Sequence, residues 1–142
     1  ESAIRITHHE LRHKALVHRN FGTIPPLFCQ AQQLNQVFMN LLINAAHAID
    51  KRGEVTVSTW ADEKTISIRI SDTGCGIPEE LQQRIFEPFF TTKEINKGTG
   101  LGLSIVADII RQHQGTISLQ SHPGQGTTFT ITLPLKAEVK DA

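Results

Sequence analysis

Two cysteines, Cys29 and Cys75, are too few for a disulfide framework and fit a reducing compartment. No charge of one sign predominates: fourteen Lys and Arg balance fourteen Asp and Glu, for a formal net charge of zero. That balance argues against a general nucleic-acid binder, which usually carries a basic excess. It argues equally against electrostatic attachment to anionic lipid. No uninterrupted apolar stretch reaches the roughly 18 residues needed to span a bilayer. No apolar segment of the signal-peptide kind follows the N-terminus, so no signal peptide is expected. Internal repeats and low-complexity tracts are absent. What is present is 142 residues, the length of one domain. A chain of this size buries about two-thirds of its unfolded surface and needs no covalent or metal staple. The first residue is Glu1 rather than Met, which leads us to expect a piece of a longer chain.

Residues 1–22 are polar and hold His8, His9, His13 and His18. Ala15, Val17 and Phe21 point to a short strand over 14–21, and Gly22 to Pro26 to a turn. The clearest helix is expected over 33–50, where Leu34, Val37, Phe38, Leu41, Leu42, Ala45, Ala48 and Ile49 recur at three- and four-residue steps. Lys51, Arg52 and a C-cap Gly53 are expected to end it. Residues 54–60 and 65–71 form an expected hairpin, with Ile66, Ile68 and Ile70 alternating with polar neighbours. A short helix is expected over 79–85, a loop over 86–100 and an amphipathic helix over 101–113. A second hairpin is expected over 116–120 and 127–133, followed by a charged tail from Lys136. The fold class implied is α/β: a two-layer α/β sandwich, a mixed sheet with helices packed on one face.

Four segments carry candidate chemistry. In the first helix Gln36, Asn40, Asn44 and His47, at steps of four, four and three, make a polar stripe beside the apolar one. Asparagine is a poor residue inside a helix, because its side chain competes for backbone hydrogen bonds. Such a stripe is either a solvated face or a set of amide oxygens offered to Mg²⁺, an ion held by few protein ligands plus phosphate and water. The run Asp72-Thr73-Gly74-Cys75-Gly76 follows a strand directly. It is either a tight turn or a binding loop whose glycines permit close approach or positive φ. An ionised carboxylate there accepts but cannot donate, which suits the exocyclic amine of adenine and disfavours the carbonyl of guanine. Gly98-Thr99-Gly100-Leu101-Gly102-Leu103-Ser104 places three alternate glycines before a helix N-terminus, where free N–H groups attract phosphate. It is not a P-loop, since no Lys-Ser/Thr follows, and it fails the dinucleotide spacing at Leu103. Finally Phe86, Phe89 and Phe90 cluster around Pro88, as core aromatics or as a docking patch on a mobile lid.

Together, in this order and spacing, the segments are specific. The chain resembles the catalytic and ATP-binding domain of sensor histidine kinases, within the group that includes gyrase B, Hsp90 and MutL, over about residues 14–135. Residues 40–45 (Asn-Leu-Leu-Ile-Asn-Ala) resemble the N box, Asp72 to Pro78 the first glycine box, 86–89 (Phe-Glu-Pro-Phe) the F box and 98–103 the second glycine box. Gly124 to Phe129 resembles the closing hairpin. The resemblance implies the Bergerat ATP-binding fold. It implies that Asn44 coordinates Mg²⁺, that Asn40 lines the phosphate side and that Asp72 binds adenine N6. Gly74, Gly76 and Ile77 would shape the adenine pocket, with Thr127 or Thr128 in its water network. Gly98, Thr99, Gly100, Leu101, Gly102 and Leu103 would form the ATP lid and lead into the phosphate-facing helix. Lys93 or Lys97 would reach the γ-phosphate, and His47 would contact phosphate when protonated. Gln36 stands where many relatives carry a glutamate proposed as a base; glutamine cannot take a proton, which departs from that pattern.

The resemblance further implies that the γ-phosphoryl group goes to a histidine on a dimerisation domain outside this chain, docked through Phe86, Phe89 and Phe90. A response regulator would act downstream. The parent would be a cytoplasmic-facing homodimer, with or without a membrane anchor, and this chain a monomer without nucleic-acid partners. Residues 1–13 are then expected as a linker or remnant of the dimerisation domain, 14–135 as the ATP-binding domain and 136–142 as a flexible tail. Three rivals compete. His9-Glu10-Leu11-Arg12-His13 fits the H-E-x-x-H zinc pattern but lacks an evident third ligand. A nucleotide-binding interaction module without phosphotransfer is the second. An ATP-operated clamp of the same fold is the third, and no obvious water-activating carboxylate favours it.

Overall fold

The computed structural model describes residues 2–11, 15–25, 29–87 and 102–135, with residues 9–11 described by their backbone. In chain order the elements are α1 (Ser2–Leu11), β1 (Ala15–Phe21), α2 (Ala31–Ala48), β2 (Gly53–Ala61) and β3 (Thr65–Asp72). A single 3₁₀ turn (Glu79–Leu81) follows, then α3 (Gly102–Gln112), β4 (Thr116–His122) and β5 (Gly126–Pro134). The described strands make one mixed sheet in the order β1-β2-β3-β5-β4. β1 pairs with β2 in parallel, and every other pairing is antiparallel.

Alternation along the strands decides what the sheet covers. Val55 and Val57, Ile66, Ile68 and Ile70, and Phe129, Ile131 and Leu133 all point to one face and are buried there. Helix α2 lies on that face between α1 and α3, and meets the sheet with Val37, Leu41, Leu42 and Ala45. The stripe recurs at three- and four-residue steps, which is why one side of α2 is dry along its whole length. The opposite face of the sheet is open and rich in Ser and Thr. There the Arg69 guanidinium lies 4.9 Å from the centre of the Trp60 ring. This is the two-layer arrangement expected from the pattern of elements.

Several boundaries differ from expectation. Helix α2 ends at Ala48, and the backbone of Ile49 turns extended; Gly53 is not its C-cap but the first residue of β2, paired with Ala15. The expected helix over 79–85 is one 3₁₀ turn followed by two further turns, closed by the Arg84 N–H on the Leu81 carbonyl and the Glu87 N–H on the Arg84 carbonyl. Residues 2–11, for which no element is expected from the sequence, are helical. Ala3 and Ile4 join the core, and the Thr7 hydroxyl donates back to the Ala3 carbonyl at 2.7 Å. The boundary expected at 13–14 and the tail expected over 136–142 lie outside the described residues.

Candidate functional site

The polar stripe of α2 stands beside the first turn of α3. Asn40 and Asn44 are half-buried one turn apart, Gln36 is exposed one turn earlier, and His47 is half-buried near the helix end. The Asn40 Nδ2 donates to the Gly102 carbonyl at 3.5 Å, so the first N-box asparagine marks where α3 begins. Gly102 and Leu103 are both half-buried. Helix α3 thus enters the core next to the asparagines, with Ser104 and Val106 buried in its first turns. The other expected lid residues, Lys93, Lys97, Gly98, Thr99, Gly100 and Leu101, lie outside the described residues.

At its far end, α2 is capped by the loop after β3. A helix leaves its last carbonyls without intrahelical partners. Here the Cys75 N–H donates to the Ala48 carbonyl at 3.0 Å. Gly74 is required for that approach. A Cβ at this position would sit 2.6 Å from the Ala48 carbonyl oxygen and 2.7 Å from its side chain. Gly76 has φ +75° and lies against the β4–β5 turn, where a Cβ would collide with the His122 carbonyl. The Gly124 N–H in that turn donates to the Cys75 carbonyl at 2.7 Å. The two glycines therefore admit neighbouring backbone, and the loop is clamped between α2 and the second hairpin.

Asp72, the last residue of β3, is buried at the root of this clamp. Its Oδ1 accepts the Gly74 N–H at 2.8 Å, and the N–H of Thr127, its register partner on β5, faces the carboxylate and favours its charged form. Burial pushes the Asp72 carboxyl above its ordinary value, and these two N–H groups pull it part of the way back. The site thus holds a desolvated carboxylate whose remaining lone pairs are acceptors only.

Beyond these, two residues carried no sequence motif. The Ser121 hydroxyl accepts the Ile77 N–H at 2.8 Å, donates to the Gly126 carbonyl at 3.1 Å and lies 2.9 Å from the Thr127 hydroxyl. The Gln82 side chain donates to the Ile77 carbonyl at 2.9 Å and to the Ser121 carbonyl at 3.1 Å. An isolated Ser and Gln give no signal in sequence, because their roles depend on the register of β4 and on the 3₁₀ turn. Thr127 is buried in this network. Thr128, the other threonine weighed for the water network, is on the opposite face, with its hydroxyl 2.8 Å from that of Ser71. Phe86 is half-buried and meets Phe129 edge to face, with ring centres 6.3 Å apart. Phe89 and Phe90 lie outside the described residues.

A metal held wholly by protein has no support here: among the described residues no three His, Cys, Asp or Glu side chains are grouped to hold one. The side chains of His9, Glu10 and His13 fall outside that set. The amide oxygens of the α2 asparagines are hard donors, of the kind Mg²⁺ accepts alongside phosphate and water.

The family model described as "Histidine kinase-, DNA gyrase B-, and HSP90-like ATPase" matches residues 29–137. The signal transduction histidine-protein kinase AtoS of Escherichia coli is 46% identical over 116 residues, covering 81% of this chain and 19% of that protein. Sporulation kinase E of Bacillus subtilis is 43% identical over 119 residues, covering 83% of this chain and 16% of that protein. In three dimensions the nucleotide-free catalytic domain of the histidine kinase ThkA superposes with a TM-score of 0.83 at 28% identity, covering 94% of this chain and 90% of that one. The chain therefore spans less than a fifth of the length of either curated relative, and nearly all of a catalytic domain solved alone.

Proposed function

Because this chain belongs to the histidine kinase-, DNA gyrase B- and HSP90-like ATPase family, as a catalytic domain of the sensor histidine kinase type, we propose that it binds ATP between α2 and the Asp72 loop and passes the γ-phosphoryl group to a histidine on another domain. The observation that carries the reading is Asp72. It is a buried carboxylate at a strand end, clamped by backbone and offering only acceptors. That matches an exocyclic amine and repels a carbonyl.

Within this reading Asp72 takes adenine N6, with Gly74, Gly76, Ile77 and Thr127 forming its surroundings. Asn44, with Asn40 beside it, holds Mg²⁺, which neutralises charge on the β- and γ-phosphates when bound. His47 adds a phosphate contact when protonated, and Gln36 extends the stripe as a hydrogen-bonding group, since its amide cannot serve as a base. The lid formed by Gly98, Thr99, Gly100, Leu101, Gly102 and Leu103 covers the phosphates, and Lys93 or Lys97 meets the γ-phosphate. A histidine ring nitrogen forms the new bond to phosphorus as the bond to the β-phosphate bridging oxygen breaks, and ADP leaves. Catalysis is then mainly positioning and electrostatics.

The phosphoacceptor belongs to a dimerisation domain of the same parent, docked against the segment of Phe86, Phe89 and Phe90. The parent is a homodimer whose catalytic domains face the cytoplasm, and a response regulator receives the phosphoryl group. No described helix is long and apolar enough to cross a membrane.

Calorimetric titration with ATP and GTP, each with Mg²⁺ and with EDTA, tests the binding half. Saturable one-to-one ATP binding that Mg²⁺ strengthens, and weak GTP binding, is the expected result. Labelled γ-phosphate appearing on the histidine of a supplied dimerisation domain tests the transfer half. Nucleotide binding without transfer would leave an interaction module, and steady hydrolysis without it an ATP-driven clamp.

A further inference from the structure

We infer that Ser121 is a specificity-determining positioning residue: by taking the hydroxyl proton of Thr127 it leaves the base pocket lined, at Asp72 and Thr127, by acceptors alone. The inference rests on the ATP-binding reading above and names what sets its choice of base.

The argument is a count of protons. A serine hydroxyl has one proton to give and two lone pairs to receive. Ser121 Oγ has three partners within hydrogen-bond distance. The Ile77 N–H at 2.8 Å can only donate. The Gly126 carbonyl at 3.1 Å can only accept. The Ser121 proton is therefore spent on Gly126, and the third contact, 2.9 Å from Thr127 Oγ1, is made by the Thr127 proton. All three contacts are satisfied in this arrangement alone, and buried polar groups are rarely left unsatisfied. Ser121 and Thr127 are both buried, so water does not supply an alternative partner cheaply.

The consequence falls on Thr127. Its O–H is committed to Ser121, and its N–H faces the Asp72 carboxylate, whose pKa it lowers. What the Thr127 side chain still offers is lone pairs. Thr127 and Asp72 are register partners on β5 and β3, so both side chains rise from the same face of the sheet. A nucleobase edge placed there meets two acceptors and no donor. The amine of adenine satisfies them, whereas the carbonyl of guanine confronts them. Were the Thr127 proton free, it could rotate to donate to that carbonyl, and the carboxylate alone would have to discriminate. Gln82 supports the arrangement by holding the Ile77 and Ser121 carbonyls, which fixes Ser121 against the loop.

The test is titration of the whole chain with ATP and with GTP for the wild type, Ser121→Ala and Ser121→Thr, with a thermal melt of each. Ser121→Ala is expected to weaken ATP about tenfold, the scale of one lost buried hydrogen bond, and to hold or improve GTP, so that the ATP-to-GTP ratio drops at least as far. Ser121→Thr restores the hydroxyl and the ratio. Thr127→Val abolishes the effect of Ser121→Ala on the ratio, because no rotatable proton remains. If Ser121→Ala melts below the assay temperature, Ser121→Cys, a much weaker acceptor, replaces it with the same expected direction. Equal weakening of both nucleotides, or an unchanged effect of Ser121→Ala in the Thr127→Val background, overturns the inference and leaves Ser121 a structural residue. A wild type that binds neither nucleotide overturns the ATP-binding reading itself.

Discussion

Asp72 serves two opposed requirements. In the proposed reading recognition needs an ionised carboxylate, and its burial disfavours one, so its pKa lies above the ordinary value despite the backbone N–H groups beside it. The linkage has a definite sign. Below the unfolded-state pKa both states hold the proton and burial carries no ionisation penalty. As pH rises through the folded-state value, the native state must charge a desolvated group and loses stability relative to the unfolded chain. Asp72→Asn removes that penalty. It is expected to gain stability over the wild type across the window between the ordinary carboxylate pKa and the raised one, with a constant difference above it, as read from urea midpoints at pH 4 to 7. The same variant should lose ATP affinity by roughly 10- to 100-fold, the worth of a hydrogen bond to a charged group. A variant both less stable and unable to bind would instead mark Asp72 as structural. Asp62 shows the opposite sign. Its Oδ1 accepts the Lys64 and Thr65 N–H groups, each at 2.8 Å, in the β2–β3 turn, and these bonds hold its carboxyl below the ordinary value. The stability that Asp62 contributes is present above its unfolded-state pKa and is lost as pH falls through the folded one, so Asp62→Asn should flatten the acid limb of a stability profile.

At the scale of elements, α2 carries the fold and the Asp72 loop depends on it. Leu41 is 1% exposed on the buried stripe, and Leu41→Ala is expected to lower unfolding free energy by about 2–5 kcal/mol. Gly74→Ala inserts a Cβ against Ala48 backbone that cannot yield, with an expected loss of about 1–3 kcal/mol. Because the loop would be lifted off α2, nucleotide affinity should fall further than in Leu41→Ala variants of equal stability, a comparison that equilibrium denaturation and titration make together. Elements with many apolar residues at a fixed period were legible in the sequence: α2, α3 and both hairpins lie within two residues of expectation at every end. Helix α1 was not, because among its described side chains the buried ones are Ala3, Ile4 and Thr7, a short stripe buried against the neighbouring α2. Gly53 was misplaced because a glycine after a helix suits a C-cap and a strand start alike, and only the pairing of β2 with β1 chooses. The candidate site residues carried by local motifs, Asn40, Asn44 and Asp72 among them, were singled out in the same way, and their roles belong to the proposed reading. Ser121 and Gln82 were not, because the contacts that tie them to the loop, Ser121 to Ile77 and Gln82 to Ser121, span 44 and 39 residues, which no local pattern shows.

At the scale of the whole molecule, the two halves of the proposed site rest on different parts of the core. The base half hangs on the β3–β5 pair and the α2 C-terminus, through Asp72, Gly74 and Thr127. The phosphate half lies toward the middle of α2, where Asn40 meets α3. Because α2 is one continuous helix, the halves are held at a fixed separation: Asn40 faces the start of α3, whereas Asp72 holds the loop at the helix end. Their contributions should therefore separate. Asn44→Ala is expected to remove the part of ATP affinity that depends on Mg²⁺ and to leave binding in EDTA within a few-fold of wild type. Asp72→Asn is expected to weaken binding by the same factor with metal or without. Independent sites add in free energy, so if the two halves act separately the double variant shows the sum of the two losses. Equal, metal-independent losses from both single variants would mean that each disturbs the common helix rather than its own half. Adenosine sharpens the comparison, since it lacks phosphates: its binding should feel Asp72→Asn fully and Asn44→Ala hardly at all.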